Sequence, residues 1–242
     1  MNNNLPKVYS MHWNNISKVI RDGQKSVFEA LNIDLIQENA DQQAHGVWMN
    51  GVIDRHASED IIVFCDIDAF PLSHDAYLNA VQAAENGLVF GLAQFSNHKD
   101  GQELYAGPMF LAFRKRTWEE LGRPNMNSNK NHDAAEILSA QARIHDVGVK
   151  LLMPSSCLQP KWALAEHGVF GIGTFYGQCE FFHLFESRQV SHEALFSVVA
   201  EDVVSHRKLN FKRYLELIHL EKDKSMSPRK RNWMPKPLRR FF

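Results

Sequence analysis

Four consecutive apolar residues, Ile61, Ile62, Val63 and Phe64, run through Cys65 into an acidic pair, Asp66-Ile67-Asp68. An unbroken apolar run ahead of polar residues marks a central β-strand covered on both faces. Such a strand needs helices above and below it, which restricts the chain to layered α/β architectures. The flanking segments agree. "HDAYLNAVQAAEN" reads as a helix begun by Ser73 as N-cap and ended by Asn86-Gly87. "ISKVIRDGQKSVFEALNI" has apolar residues at helical spacing, interrupted by Gly23, and "HGVWMNGVIDRHAS" reads as a short helix. "KVYSMHW", "DLIQEN", "LVFGLAQF", "PMFLAFRK" and "VKLLMP" read as strands. "TWEELG" is a short helix with Thr117 as its cap and Glu120 placed for a capping box, and "NHDAAEILSAQARIHDVG" is a longer helix closed by Gly148. Strands alternating with helices indicate an α/β sandwich with a central, mostly parallel sheet flanked by helices. Beyond Pro154 the pattern yields one helical stretch over 192–222, followed by a tail.

Charge divides the chain in two. Between Glu221 and Phe242 there are eight Lys or Arg and two acids, a net +6, which leaves −7 on residues 1–220. We therefore expect one α/β domain over 1–220 and a basic tail over 221–242. Three prolines in the tail, Pro228, Pro235 and Pro237, forbid a long helix, and Trp233, Phe241 and Phe242 lie among the charges. Basic charge interleaved with aromatics suits an anionic membrane surface, a solvated end, or, least of the three, nucleic acid. No apolar run approaches the ~20 residues of a membrane span, and the N-terminus lacks a secretory signal pattern, so a cytoplasmic chain, peripheral at the inner membrane face, is expected. Cys65, Cys157 and Cys179 are odd in number with no C-x-x-C spacing, which suggests neither disulfides nor a zinc knuckle.

Asp66 and Asp68 fall where open α/β sheets bind ligands, beyond the carboxyl end of a strand. Alternation along an extended chain would turn both carboxylates to one side. Two anionic groups clustered there call for a cation, and a hard divalent ion such as Mg2+ or Mn2+, carried by a diphosphate, fits them. The bland alternative is a helix-capping Asp beside a solvated one. Trp13 could stack on a base or pack in the core, and the end of the first strand, near His12, Trp13 and Asn14, is our candidate nucleotide contact.

In order and spacing, "IIVFCDIDAFPL", "YAGPMFLAFRKRTWEELG" and "NHDAAEILSAQARIHDVGVKLLMP" resemble the middle and later part of a GT-A fold nucleotide-sugar glycosyltransferase, over about residues 58–154. The resemblance implies that Asp66 faces the ribose or sugar of a UDP- or GDP-sugar donor. It implies that Asp68 binds a metal bridging the diphosphate, and that Gly107 and Pro108 pass under the sugar and acceptor. Asp133 matches the general base of inverting members, although His132 stands where the family has Glu. A histidine from the later part of the domain completes the metal site in many members. His183 in "CEFFHLFESR" is the candidate, with His192 and His167 as substitutes, and Arg188 is placed to pair with phosphate. The expected acceptor is a surface glycan or lipid-linked glycan. Three other readings share features of this pattern: a haloacid-dehalogenase-like phosphatase using the same D-x-D, a nucleotidyltransferase, and a non-catalytic carbohydrate-binding or scaffolding domain.

Overall fold

The computed structural model describes residues 5–99 and 103–225; the remainder of the tail, 226–242, lies outside the described residues. The chain runs β1 (Val8–His12), α1 (Lys18–Ala30), β2 (Leu35–Asn39), α2 (His45–Asp54), β3 (Ile61–Cys65), β4 (Ala69–Pro71), α3 (His74–Glu85), β5 (Val89–Gln94), β6 (Tyr105–Arg114), α4 (Lys115–Glu120) and α5 (Glu136–Ile144). There follow β7 (Val149–Leu152), β8 (Pro154–Ala163), β9 (Val169–Tyr176), β10 (Phe181–His183), α6 (Val190–Val204) and α7 (Phe211–Ser225). The main sheet has the order β2-β1-β3-β6-β5-β7. Only β6 opposes the others, because it pairs antiparallel with both β3 and β5 while the remaining pairs are parallel. The fold is thus α/β, with a mixed, mostly parallel sheet flanked by helices, as the alternation of elements indicates.

The apolar run does become a central strand. Val63 and Cys65 of β3 join a core with α1, α3 and α6, while Ile62 and Phe64 join a second core with α2, α4 and α5 on the opposite face. Gly23, which interrupts the helical pattern, is where α1 and α6 approach: a Cβ there would meet Cε1 of Phe196 at 3.0 Å. Ser73 caps α3, its Oγ accepting the Ala76 N–H at 3.1 Å.

Other expectations are corrected. A second, antiparallel sheet, β4-β10-β9-β8, occupies the region beyond Pro154 where only helix was anticipated. Its β4 is three residues long and follows β3 so closely that the pair reads as one strand. The stretch over 192–222 breaks into α6 and α7, with Ser205 as C-cap and His206 at φ +51° turning the chain. α7 runs to Ser225. α4 begins at Lys115 without a side-chain cap, so Thr117 lies inside it, buried. α5 begins only at Glu136 and ends at Ile144, with His145 rather than Gly148 at its C-cap. No helix among the described residues is long and apolar enough to cross a membrane.

Between β3 and β4 the chain leaves one sheet for the other, and the carbonyls of Asp66 and Ala69 turn toward α1. Buried Gln24 of α1 takes both: its Nε2 donates to Asp66 O at 2.7 Å and to Ala69 O at 2.9 Å, while its Oε1 accepts from Gln37 Nε2 at 2.9 Å. Gln24→Leu removes the amide donor from both carbonyls, leaving Asp66 O to the Ala69 N–H at 3.0 Å and Ala69 O to the weakly donating Cys65 thiol at 3.2 Å, and is expected to destabilise the fold by about 1–3 kcal/mol in all. Urea unfolding measures the effect, and an unchanged midpoint would show that the amide does not hold the turn.

Candidate active site

The acidic pair is not extended chain. β3 stops at Cys65, and the Ala69 N–H donates back to Asp66 O at 3.0 Å, so Asp66-Ile67-Asp68 is a tight turn rather than a strand pleat. Both carboxylates nevertheless face one cleft. His183, at the end of β10, pairs in register with Ala69, and this places its Nε2 3.2 Å from Asp68 Oδ1. Ser187 Oγ donates to Asp68 Oδ2 at 2.5 Å. Asp66 Oδ1 lies 3.4 Å from Nε2 of His45, the first residue of α2.

These neighbours push the two carboxyls apart in acidity. Burial raises Asp66; the His45 imidazole pulls it back, but the Asp68 charge adds to the rise, and Asp66 sits above the ordinary aspartate value. Burial also acts against Asp68, but the charge and hydrogen bond of His183 and the hydrogen bond of Ser187 outweigh it and hold that carboxyl low.

Ligand atoms of Asp66, Asp68 and His183 all lie within 4.8 Å of one another. Two hard carboxylate oxygens and one imidazole nitrogen suit a small divalent ion. On donor chemistry and spacing the three side chains fit a divalent ion.

The cleft has a volume of about 610 Å³ and lies at the carboxyl edge of the main sheet. It gathers residues from distant parts of the chain. His12 ends β1 and Trp13 follows it, Pro108 sits in β6, Asp133 precedes α5, and Arg188 follows β10; all line it together with Asp66, Asp68 and His183. Gly107 does not line it. A Cβ there would meet Gln94 Oε1 and Met109 Sδ, each at 2.6 Å, so the glycine lets those two cleft-lining side chains close over it. Pro108 belongs to a register shift in the pairing of β5 with β6, where Leu92 pairs with Gly107 directly after Gly91 pairs with Leu111. A proline is tolerated at such a bulge because no ladder donor is needed there.

Asp133 is not in a helical first turn. Its backbone N–H donates to Glu136 Oε2 at 2.7 Å, and its Oδ1 accepts from Ala134 N at 2.9 Å. Ala135, at φ +66°, then turns the chain into α5. His98 Nε2 stands 3.8 Å from Asp133 Oδ2. Trp13 donates through Nε1 to Gln43 O at 3.0 Å, and the Arg188 guanidinium lies 5.0 Å from the centre of its ring. Of the substitutes for His183, His192 faces the Glu186 carbonyl through Nδ1 at 3.2 Å and His167 is exposed in the turn between β8 and β9.

Sequence reasoning missed His45, Ser187, Gln94, Tyr105 and the supporting Gln24. Only His45 carried a local signal, as the first residue of a legible helix; the others are placed by pairing across the fold.

No protein-family model and no curated protein matches the chain. Among solved structures it is similar to A197 from STIV, at 10% identity and a TM-score of 0.45 over 75% of this chain and 95% of that one. It is also similar to the catalytic domain of Drosophila beta1,4-galactosyltransferase 7 in complex with xylobiose, at 12% identity and a TM-score of 0.41 over 61% and 65% of the two chains. A third is the 4-diphosphocytidyl-2C-methyl-D-erythritol synthase of Anaerococcus prevotii, at 11% identity and a TM-score of 0.40 over 61% and 89%. These likenesses are distant, and the fold description stands on the sheet order itself.

The opposed acidities of the pair have a consequence for stability. A carboxyl raised in the folded state costs stability as pH rises from the unfolded value through the folded one; a lowered carboxyl contributes stability that is complete above the unfolded value and lost as pH falls through the folded one. Asp66→Asn is therefore expected to raise the unfolding temperature at pH 7 in metal-free buffer, with the gain closing below about pH 4, where aspartate is protonated in both states. Calorimetry across pH 3–7 checks this, and a variant less stable than wild type at pH 7 would contradict it.

Proposed function

We propose that the chain is a divalent-metal-dependent glycosyltransferase of the GT-A kind, moving a sugar from a nucleoside diphosphate, UDP or GDP, to a hydroxyl of a glycan or lipid-linked acceptor. The observation that carries this reading is the Asp66, Asp68 and His183 group, set at the carboxyl edge of the sheet in a cleft that also holds Asp133. Asp68 and His183 hold the metal. When bound, that ion acts as Lewis acid for the departing diphosphate, offsetting charge that grows in the transition state. Asp66 accepts a hydrogen bond from a donor hydroxyl of the ribose or sugar. Trp13 and His12, at the end of β1, take the base, and Arg188 faces the phosphates, where a guanidinium gives a charge-assisted pair. Gly107, with Pro108 lining the cleft beside it, supports the wall under the sugar and acceptor.

Asp133 is the base. As the acceptor oxygen forms its bond to the anomeric carbon, the acceptor proton passes to the Asp133 carboxylate, and the bond from that carbon to the phosphate oxygen breaks toward the nucleoside diphosphate. Attack from the face opposite the leaving group inverts the anomeric centre. The hydrogen bond from the Asp133 backbone to buried Glu136 anchors the loop that carries this carboxylate.

Calorimetric titration of UDP and GDP, each with and without Mn2+, tests the reading. Binding of one nucleotide that requires the metal is expected for wild type and for Asp133→Asn, and is expected to be lost in Asp68→Ala. Once a donor and acceptor are known, Asp133→Asn is expected to slow transfer by about 10²–10⁴-fold. Failure of both nucleotides to bind, with phosphate released from a phosphomonoester, would favour the phosphatase reading instead.

The acceptor would meet the enzyme at an anionic membrane through the basic tail. Deleting residues 226–242 is expected to release the chain from vesicles containing anionic lipid in a co-sedimentation assay. Undiminished binding would contradict a membrane role for the tail.

A further inference from the structure

The two oxygens of Asp68 have different partners. Oδ1 faces His183 Nε2 at 3.2 Å, whereas Oδ2 accepts the Ser187 hydroxyl at 2.5 Å. Ser187 is 5% exposed, so water does not readily replace that hydrogen bond. Its placement is tightly determined. The Leu184 N–H donates to the Asp68 carbonyl at 2.9 Å, which fixes the start of the turn after β10. Glu186 then adopts φ +59°, a left-handed conformation uncommon for a residue with a Cβ. Its carboxylate is held by Lys161 and by Gln189 Nε2, the latter at 2.9 Å. The next residue is Ser187, directed back at the carboxylate.

We propose that Ser187 is a positioning residue that sets the metal preference of the Asp66, Asp68 and His183 group; this rests on the metal-dependent reading above. A carboxylate with one oxygen engaged by a buried hydroxyl offers the other oxygen alone. Mg2+ and Mn2+ accept single carboxylate oxygens in a compact six-coordinate shell. Ca2+ takes six to eight oxygens and often uses both from one carboxylate. Ser187 thereby disfavours the larger ion, and His183 adds to the bias because imidazole nitrogen suits Mn2+ better than Ca2+. Asp68 is kept ionised and oriented by the same bond, ready to receive a cation without rotating its side chain. Hydrogen-bonding partners of metal ligands typically contribute about 10–100-fold to metal affinity, and a hydroxyl on the ligand oxygen itself belongs in that range.

Mn2+ and Ca2+ alone, titrated calorimetrically into the full chain, separate this proposal from the reading beneath it. Wild type is expected to bind Mn2+ more tightly than Ca2+, and Asp68→Ala to bind neither. Ser187→Ala is expected to weaken Mn2+ about 10–100-fold while weakening Ca2+ less, so that the ratio of the two affinities shrinks. Ser187→Cys, close in size but a poor donor, is expected to behave like the alanine variant and serves if that variant folds badly. Wild-type affinities and ratio in both serine variants would overturn the proposal and leave the metal site standing. Equal weakening of both ions would also overturn it. No Mn2+ binding to wild type would overturn both the proposal and the metal-dependent reading.

Discussion

A buried amide braces the acidic turn against the body of the fold. The side chain of Gln24 has two N–H groups, and they go to the two carbonyls, Asp66 and Ala69, that bracket the acidic pair. Without them, Asp66 O would keep only the Ala69 N–H of its own turn and Ala69 O would be left to the weakly donating Cys65 thiol. With them, three residues, Asp66 to Asp68, bridge two sheets, and the backbone that carries the two carboxylates is braced against α1. Gln37 completes the arrangement by donating to Gln24 Oε1, which fixes the orientation of the amide. The position of two of the candidate metal ligands thus leans on a helix that contributes none of them.

Each of the three aspartates of the cleft is faced by an imidazole: Asp66 by His45, Asp68 by His183 and Asp133 by His98. The contacts differ in kind. His183 is buried and close, and together with Ser187 it makes Asp68 the more acidic member of the pair. His45 is partly open to the cleft and does not offset the burial of Asp66. His98 is largely exposed and 3.8 Å away, which leaves Asp133 free to exchange partners. In our proposal this gradation separates an ionised ligand for the metal, a carboxyl for the donor and a base for the acceptor.

What could be read from the sequence was what short-range chemistry determines. β3 announces itself because both its faces are covered, and Ser73 announces a helix because its hydroxyl serves an N–H three residues on. Asp66 and Asp68 were legible for the same reason, as acids directly after an apolar strand, although the turn they form was not. The second sheet was not legible. β4 has three residues and acquires its identity only by pairing with β10, more than a hundred positions later. Ser187 and Gln24 are ordinary residues in their local sequence, and only the folded chain brings them to Asp68 and to the turn around it. The start of α5 was misplaced because "NHDAAE" has the composition of a helix start, while the left-handed Ala135 and the bond from Asp133 to Glu136 shape it as a loop.

The central claim is that Asp68 and His183, with Asp66 beside them, would hold a divalent ion that supplies positive charge to a nucleoside diphosphate. Crystals grown with Mn2+ and either UDP or GDP, measured above and below the manganese absorption edge, test it directly. One anomalous peak within bonding distance of Asp68 and His183, with diphosphate oxygens beside it, is the expected result. Bound nucleotide without a manganese peak there, or a peak coordinated by other residues, would contradict it.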